Sequence, residues 1–322
     1  MDREAVEVVK VLAHFTPGAK VLDFVAPESD WLDIRWCAED DDETFHRELP
    51  DAEVIWHVLR PLSGSDLERA THARLIHKLG AGVNTIDVDT ATRRGIAVAN
   101  MPGANAPSVA EGTLLLMLAA SRRLPALDRA TREGRGWPSD PGLGETVRDI
   151  GGCTVGLVGY GNIAKQVERI VLAMGGQVVH TSTRDDGTPG WRALPDLLAA
   201  ADIVSLHLPL NDHTRHLIGP DELAAMKPGA VLVNTSRGPI VDEAALVEAL
   251  RSGHLAAAGL DVFAEEPVPA GAALLTLDNV VVTPHVTWYT VDTMRRYLEM
   301  AVENCRRLRD GEPLAHLVNE VR

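Results

Sequence analysis

Three short segments of this 322-residue chain hold the side chains best suited to chemistry. Asn234-Thr235-Ser236-Arg237-Gly238-Pro239-Ile240-Val241-Asp242 carries Arg237, Gly259–Pro267 carries Glu266, and Thr283-Pro284-His285 ends on His285. A guanidinium offers a planar fork of donors to a carboxylate or carbonyl oxygen. An imidazole gains and loses its proton near neutral pH, and a carboxylate bonded to it orients the ring and favours its cation. Singly, each residue has a plain structural explanation: a surface arginine, a loop acid, a turn histidine. Jointly, they fall at the expected C-terminal ends of strands in one sheet, where ligands bind in folds of this kind.

The same sheet opens with a phosphate-binding pattern. The apolar run Thr154–Val158 leads into Gly159-Tyr160-Gly161-Asn162-Ile163-Ala164, and a helical pattern follows over Lys165–Met174. This is G-x-G-x-x-A with a strand before it, a helix after it and a second strand at Gln177–Thr181. Gly159 permits the tight turn, Gly161 lets the backbone approach a pyrophosphate, and Ala164 keeps helix and strand close. Free N–H groups at the helix start would meet the phosphate charge. The second strand ends His180-Thr181-Ser182-Thr183-Arg184, with no acid where a ribose 2′-OH usually finds one. Ser182, Thr183 and Arg184 suit a 2′-phosphate better, so the expectation leans to NADP over NAD, although Asp185 and Asp186 follow directly.

The elements that must position these groups alternate strand and helix. Lys20–Val25, Glu53–Leu59, Leu75–Leu79 and Ile96–Ala99 are expected strands of a small parallel α/β unit. Ser108–Leu124 is apolar almost all round and is expected as a buried linking helix, with Ser108 and Glu111 as a capping box. A Gly-, Pro- and Trp-rich loop over Glu133–Gly152 precedes six apolar strands, Cys153–Val158, Gln177–Thr181, Ile203–Leu208, Ala230–Thr235, Ala256–Val262 and Val280–Thr283, which suggest a doubly wound sheet. A last amphipathic helix, about Val291–Asp310, is expected to pack on the N-terminal unit.

Composition narrows the classes. Hydrophobic residues make up 45% and charged residues 24%, and the length suits two domains. The net charge of −15 disfavours nucleic acid and anionic membrane as partners. Cys37, Cys153 and Cys305 are far apart with no CxxC spacing, which suggests reduced thiols, a cytoplasmic setting and no metal site. The acidic start MDREAVEVVK does not read as a signal peptide, and the apolar run Leu114–Ala120 is far too short to span a bilayer.

At this level of detail the chain resembles the D-isomer-specific 2-hydroxyacid dehydrogenase family over nearly its whole length. The matching stretches are Leu79–Asp87, Gly95–Glu111, the GYGNIA motif, Ser205–Ile218, Met226–Glu243, Gly259–Pro267 and Thr-Pro-His. The resemblance implies two doubly wound parallel-sheet domains. One is a Rossmann cofactor domain over residues 100–285, and the other a discontinuous flavodoxin-like substrate domain over residues 1–99 and 286–322, in a homodimer. It implies that Arg237 holds the substrate carboxylate and carbonyl oxygen, that His285 protonates the forming alkoxide, and that Glu266 orients His285. It also implies a carboxylate cradle at Ala81-Gly82, a carboxamide contact from Asp261, a cofactor groove lined by Thr235, His207 and Pro209, and a cofactor contact from Thr113.

Several positions depart from the family pattern. Asn84 stands where Asp is common, Asn162 where Arg is frequent and Ala164 where Gly is commoner, and Val286-Thr287-Trp288-Tyr289 follows the histidine. Glu266 stands where formate dehydrogenases typically have Gln, and with no regulatory domain after residue 322 a regulated phosphoglycerate dehydrogenase is not expected. Glyoxylate and hydroxypyruvate are the first expected substrates. C-terminal-binding-protein corepressors share the fold and the trio, so a dinucleotide-sensing scaffold is the alternative. Trp288 and Tyr289 either cap the domain junction or line the substrate pocket.

Overall fold

The computed structural model describes residues 7–135, 145, 147–185 and 187–321. Asp186, and residues 136–144 and 146 of the expected loop, lie outside the described residues. The chain forms two compact units, one from the N-terminus to Asn105 with Tyr289 onward, the other Ala106–Trp288.

The first unit is a five-stranded parallel sheet: β1 (Val9–His14), β2 (Leu32–Cys37), β3 (Val54–His57), β4 (Leu75–Lys78) and β5 (Ala97–Ala99), in the order β2-β1-β3-β4-β5. That is the flavodoxin-like order. Two strands were not expected, and one expected strand is a helix. Lys20–Val25 lies within helix α1 (Ala19–Val25), which buries Val21 and Val25 four residues apart and exposes Leu22 and Asp23. Four-residue spacing is helical, and a run this short does not separate helix from strand by apolar content alone. The strands it displaces are masked by polar residues. Edge strand β2 carries Asp33 and Arg35, and β1 carries Lys10 and His14.

Helices α2 (Asp42–Glu48), α3 (Gly64–Arg69) and α4 (Val88–Arg93) start on side-chain caps from Asp41, Ser63 and Asp87. The final helix also belongs to this unit. Numbered α11 in chain order, it runs Val291–Asp310 and packs on α1. Thr290 caps its start, and Gly311 ends it in the left-handed region at φ 68°. Its buried stripe includes Met294, Tyr297, Leu298, Ala301 and Cys305.

The second unit is a six-stranded parallel sheet: β6 (Thr154–Val158), β7 (Gln177–Thr181), β8 (Ile203–Leu206), β9 (Ala230–Asn234), β10 (Leu255–Leu260) and β11 (Val280–Val282). The order is β11-β10-β9-β8-β6-β7, and a single parallel bridge from His180 to Trp191 extends it past β7. With that bridge counted as a vestigial strand, the order is Rossmann-like, and it reverses between β6 and β8. Helix α5 (Ala106–Ser121) starts two residues before Ser108, so the expected capping box does not form. Ser108 sits inside the first turn and is buried. A short α6 (Leu124–Arg132) follows.

Helix α7 (Asn162–Ala173) joins α5 on one face of the sheet, over Leu116, Met117, Val155, Leu157, Val167 and Val233. The other face is covered by α8 (Leu194–Ala200), α9 (Pro220–Ala225) and α10 (Glu243–Arg251), over Leu197, Leu223, Leu232, Leu246 and Leu260. Each fully buried Leu of this kind contributes about 1.5–3 kcal/mol. Among the described residues no helix is long and apolar enough to cross a membrane.

Candidate active site

Arg237, Glu266 and His285 all lie in the second unit, just past the C-terminal ends of β9, β10 and β11. The Arg237 turn is held from beneath. Asn234, the last residue of β9, is buried; its amide donates to the Arg237 carbonyl at 2.9 Å and accepts from Ser236 N–H at 3.0 Å. The Ser236 hydroxyl donates to the carbonyl of Leu206. At Gly238 a side chain has no room, since a Cβ there would lie 1.8 Å from the Phe263 carbonyl oxygen. The arginine turn therefore rests directly on the backbone that leads to Glu266. Half-buried Arg237 donates from Nη1 to the Ser236 carbonyl at 2.7 Å.

Glu266 uses both oxygens. Oε1 accepts from Phe263 N–H at 3.0 Å and Oε2 is 2.8 Å from His285 Nδ1. Burial raises the Glu266 carboxyl pKa. It is outweighed by the hydrogen bond and charge of His285, the Phe263 N–H and the charge of Arg237, so the group is held below its ordinary value. A carboxylate only accepts, so Nδ1 must carry the proton in this pair. That leaves Nε2, which has no hydrogen bond among the described residues, as the nitrogen that can exchange a proton. The imidazole side chain is 16% exposed.

His285 adopts φ 55°, and its N–H donates to the Asp261 carbonyl at 2.7 Å. Asp261 is fully buried, and its carboxylate accepts from the Thr283 hydroxyl, from Val286 N–H and from both the N–H and the hydroxyl of Thr287. Trp288 Nε1 donates to the His285 carbonyl at 2.9 Å, so this ring braces the histidine segment. Tyr289, by contrast, is 52% exposed and belongs to the first unit.

The glycine-rich turn follows β6. Gly159 has φ 93°, and a Cβ there would lie 2.5 Å from the His207 carbonyl oxygen, so the turn is pressed against the segment after β8. Nothing lies within 4 Å of a Cβ built on Gly161. Helix α7 starts at Asn162, three residues earlier than the sequence pattern suggests, and Gly161 caps it with no side chain. No side chain caps its first N–H groups, and its first two residues are an exposed Asn162 and a half-buried Ile163. Uncapped N–H groups, a bare glycine and room above it fit a dinucleotide pyrophosphate.

The remaining residues expected at the cofactor groove are placed as follows. His207 Nε2 pairs with the Ser205 hydroxyl at 2.9 Å, its Nδ1 is shielded without a partner, and burial lowers its pKa to about 4. Pro209 is exposed and Thr235 is buried. Thr113 has no exposed surface; its hydroxyl donates to the Val109 carbonyl and sits 2.8 Å from that of Thr235. Ser182 donates its hydroxyl to the Arg184 carbonyl at 2.6 Å, while Thr183 and Arg184 are exposed. Ala81 and Gly82 lie in the first unit, after β4, where the Ala81 carbonyl accepts from Asn100 at 2.7 Å.

Sequence reasoning missed the hold that Asn234, Thr283 and Thr287 exert on the trio. Only the polarity of Asn-Thr-Ser-Arg and Thr-Pro-His-Val-Thr beside apolar strands hinted at it. It also missed the stacking of Tyr160 on His180, with ring centroids 3.6 Å apart.

Comparisons with known proteins show which family the chain resembles. The family described as "D-isomer specific 2-hydroxyacid dehydrogenase, NAD binding domain" matches residues 114–287. The chain is 40% identical to a glyoxylate reductase of Aeropyrum pernix over 291 residues, 86% of each protein. It is 40% identical to a hydroxypyruvate reductase of Thermotoga maritima over 256 residues, 77% of this chain and 82% of the relative. A crystal structure of D-lactate dehydrogenase from Aquifex aeolicus, complexed with NAD and lactic acid, superposes with a TM-score of 0.86. It shares 28% identity and covers 97% of this chain and 100% of its own.

Proposed function

The chain belongs to the D-isomer specific 2-hydroxyacid dehydrogenase family, and from that premise we propose a reductase of small 2-keto acids, with glyoxylate and hydroxypyruvate foremost and NADPH preferred. It is an oxidoreductase that moves a hydride between a nicotinamide cofactor and a small D-2-hydroxy acid or its 2-keto form. The observation that carries the site assignment is the 2.8 Å pair of His285 Nδ1 and Glu266, with Arg237 near enough that its charge lowers the Glu266 pKa.

A bound nicotinamide dinucleotide supplies the hydride that reduces the carbonyl carbon. Arg237 holds the substrate carboxylate and draws electron density toward the carbonyl oxygen. His285 delivers the proton on Nε2 to that oxygen as it becomes an alkoxide, and takes it back in the reverse direction. Glu266 accepts from Nδ1–H, which fixes the ring and its tautomer and leaves Nε2 to exchange the proton. Gly159, Gly161, Asn162 and Ile163 hold the pyrophosphate, and Thr235, His207 and Pro209 line the groove. Ala81 and Gly82 stand as a proposed carboxylate cradle of the first unit.

Preference for NADPH is supported by the end of β7, where Ser182, Thr183 and exposed Arg184 replace an acid. The relatives named above are enzymes, and nothing among them favours the corepressor-like scaffold. A cytoplasmic homodimer is the proposed assembly, and sedimentation as a monomer would overturn it. The deciding experiment is steady-state reduction of a panel of 2-keto acids at the nicotinamide absorbance with each cofactor. Turnover that His285→Ala abolishes is expected. Absence of turnover across the panel, or turnover that survives His285→Ala, sinks the assignment.

A further inference from the structure

We propose that Asn100 and segment 315–319 form a positioning device for the substrate carboxylate, setting the peptide planes that carry the Ala81 and Gly82 N–H groups. The proposal rests on the reading of Ala81-Gly82 as the carboxylate cradle. It extends that reading to residues far along the chain, all within the first unit.

A trans peptide unit is planar, so its carbonyl and its N–H point in opposite directions, and fixing one aims the other. The Ala81 carbonyl shares its plane with the Gly82 N–H, and it accepts from Asn100 Nδ2 at 2.7 Å. The Gly80 carbonyl shares its plane with the Ala81 N–H, and it accepts from Met101 N–H at 2.9 Å. Among the described residues, neither the Ala81 nor the Gly82 N–H donates to a protein acceptor. Two oriented and unspent donors suit a carboxylate. Each belongs to a peptide whose carbonyl already accepts a bond, which polarises it to donate more strongly. Packing gives the turn little other support, since Ala81 is exposed and Gly82 has no side chain.

Asn100 is held in turn. It stands just past the edge strand β5, and its N–H donates to the His316 carbonyl at 3.1 Å. Ala99 and Leu317 form an antiparallel bridge, and Val318 N–H donates to the Val98 carbonyl at 2.8 Å, so segment 315–319 runs along the open edge of β5. Asn319 fastens one end. Its Oδ1 accepts from Val98 N–H at 2.7 Å, and its Nδ2 donates to the Ile96 carbonyl at 3.0 Å and to the Thr92 hydroxyl at 2.9 Å. Buried Asn304 of α11 fastens the other, exchanging two bonds with the Ala315 backbone at 2.9 and 3.0 Å. Between these fastenings His316 adopts φ 57°, a left-handed conformation that persists in an L residue where neighbours over-determine it. His316 is exposed, and its backbone carries the hold on Asn100.

The test compares Asn100→Ala, His316→Val and His316→Gly with wild type, on glyoxylate at saturating cofactor. Asn100→Ala frees the plane of the Gly82 N–H. Expected is a KM for glyoxylate raised about tenfold, the scale of one weakened charge-assisted hydrogen bond, with kcat within about threefold. The cofactor dissociation constant, from fluorescence titration without keto acid, should stay within about twofold. The His316 pair removes the same imidazole and differs in backbone demand, because a β-branched residue is strained at positive φ and glycine is not. His316→Val should raise KM about threefold. In the ligand-free protein it should quicken amide exchange at Asn100 and Val318 at least about tenfold while β3 is unchanged, as local rather than global opening requires. His316→Gly should keep wild-type values of both. Should Asn100→Ala fail to fold, the His316 pair carries the comparison. An unchanged KM in Asn100→Ala and His316→Val, equal effects of Val and Gly at position 316, or cofactor binding weakened in step with KM would overturn the proposal. If wild type turns over no keto acid, the functional reading fails. Exchange alone then decides whether segment 315–319 holds Asn100: quickening in His316→Val supports the hold, and unchanged exchange overturns it.

Discussion

Glu266 Oε2 and His285 Nδ1 lie 2.8 Å apart although 19 residues separate them, and the same carboxylate is held on its other oxygen by Phe263 N–H. The acid is thus fixed before it fixes the histidine. Two loops that leave different strands meet at this bond, and the Gly238–Phe263 contact brings the Arg237 turn alongside.

Glu266→Gln keeps an acceptor for Nδ1–H and removes the charge. We expect kcat for keto-acid reduction to fall about 10- to 100-fold, a part of what a positioned acid contributes. The acid limb that Glu266 sets in wild type should disappear, because the amide carries no titrating carboxyl. In wild type the Glu266 pKa is depressed, which places that limb low. Its charge is fully present above the ordinary glutamate value and is lost only as pH falls through the lowered one, so its acid limb lies below the usual glutamate range. A kcat–pH profile of the variant that superposes on wild type would contradict this.

Gly238→Ala pushes a methyl carbon into the Phe263 carbonyl, and the backbone of one segment must give way. Overpacking of this kind costs about 3 kcal/mol or more. The expected result is a lower denaturation midpoint together with reduced kcat/KM, since the Arg237 and Glu266 loops separate. Wild-type stability and kinetics in this variant would mean that the two segments move apart freely.

Arg184→Glu should lower kcat/KM for NADPH at least about tenfold, as expected when a charged hydrogen-bond partner of a phosphate is reversed. The value with NADH should be nearly unchanged. Initial rates with both cofactors measure the ratio, and a wild type that clearly prefers NADH removes the basis for the prediction.

Stability should fall on acidification through neutral buried histidines. His77 is fully buried and its pKa is lowered to about 4, chiefly by burial. Its Nε2 faces the Asn304 amide at 3.0 Å, which leaves no room for a second proton. The unfolded chain takes up the proton at an ordinary histidine value while the folded chain resists it. The contribution is therefore complete above the ordinary value and is lost as pH falls from there toward about 4. At pH ~5 the loss is roughly 2 kcal/mol for this residue. Urea titrations at pH ~7.5 and ~5 should show it, and His77→Leu should flatten the difference.

What the sequence determined by itself was the order of chemical groups along the chain. The Gly159-to-Ala164 turn, Arg237, Glu266 and His285 were legible because each follows an apolar parallel strand. Such strands read as apolar runs, as Ala230–Val233 does in a strand buried at every position. The positions of strands β3 through β11 were legible for the same reason. Tertiary structure decided what local pattern leaves ambiguous. Val21 and Val25 became one face of α1, because the charged β1 and β2 segments took the sheet positions. It also decided the partners of Asp261, whose four donors arrive from 22 to 26 residues away on another loop. It turned Trp288 toward the His285 carbonyl as well. A hydrogen bond across such a separation depends on where two strands end in space, and no spacing rule along the chain encodes that.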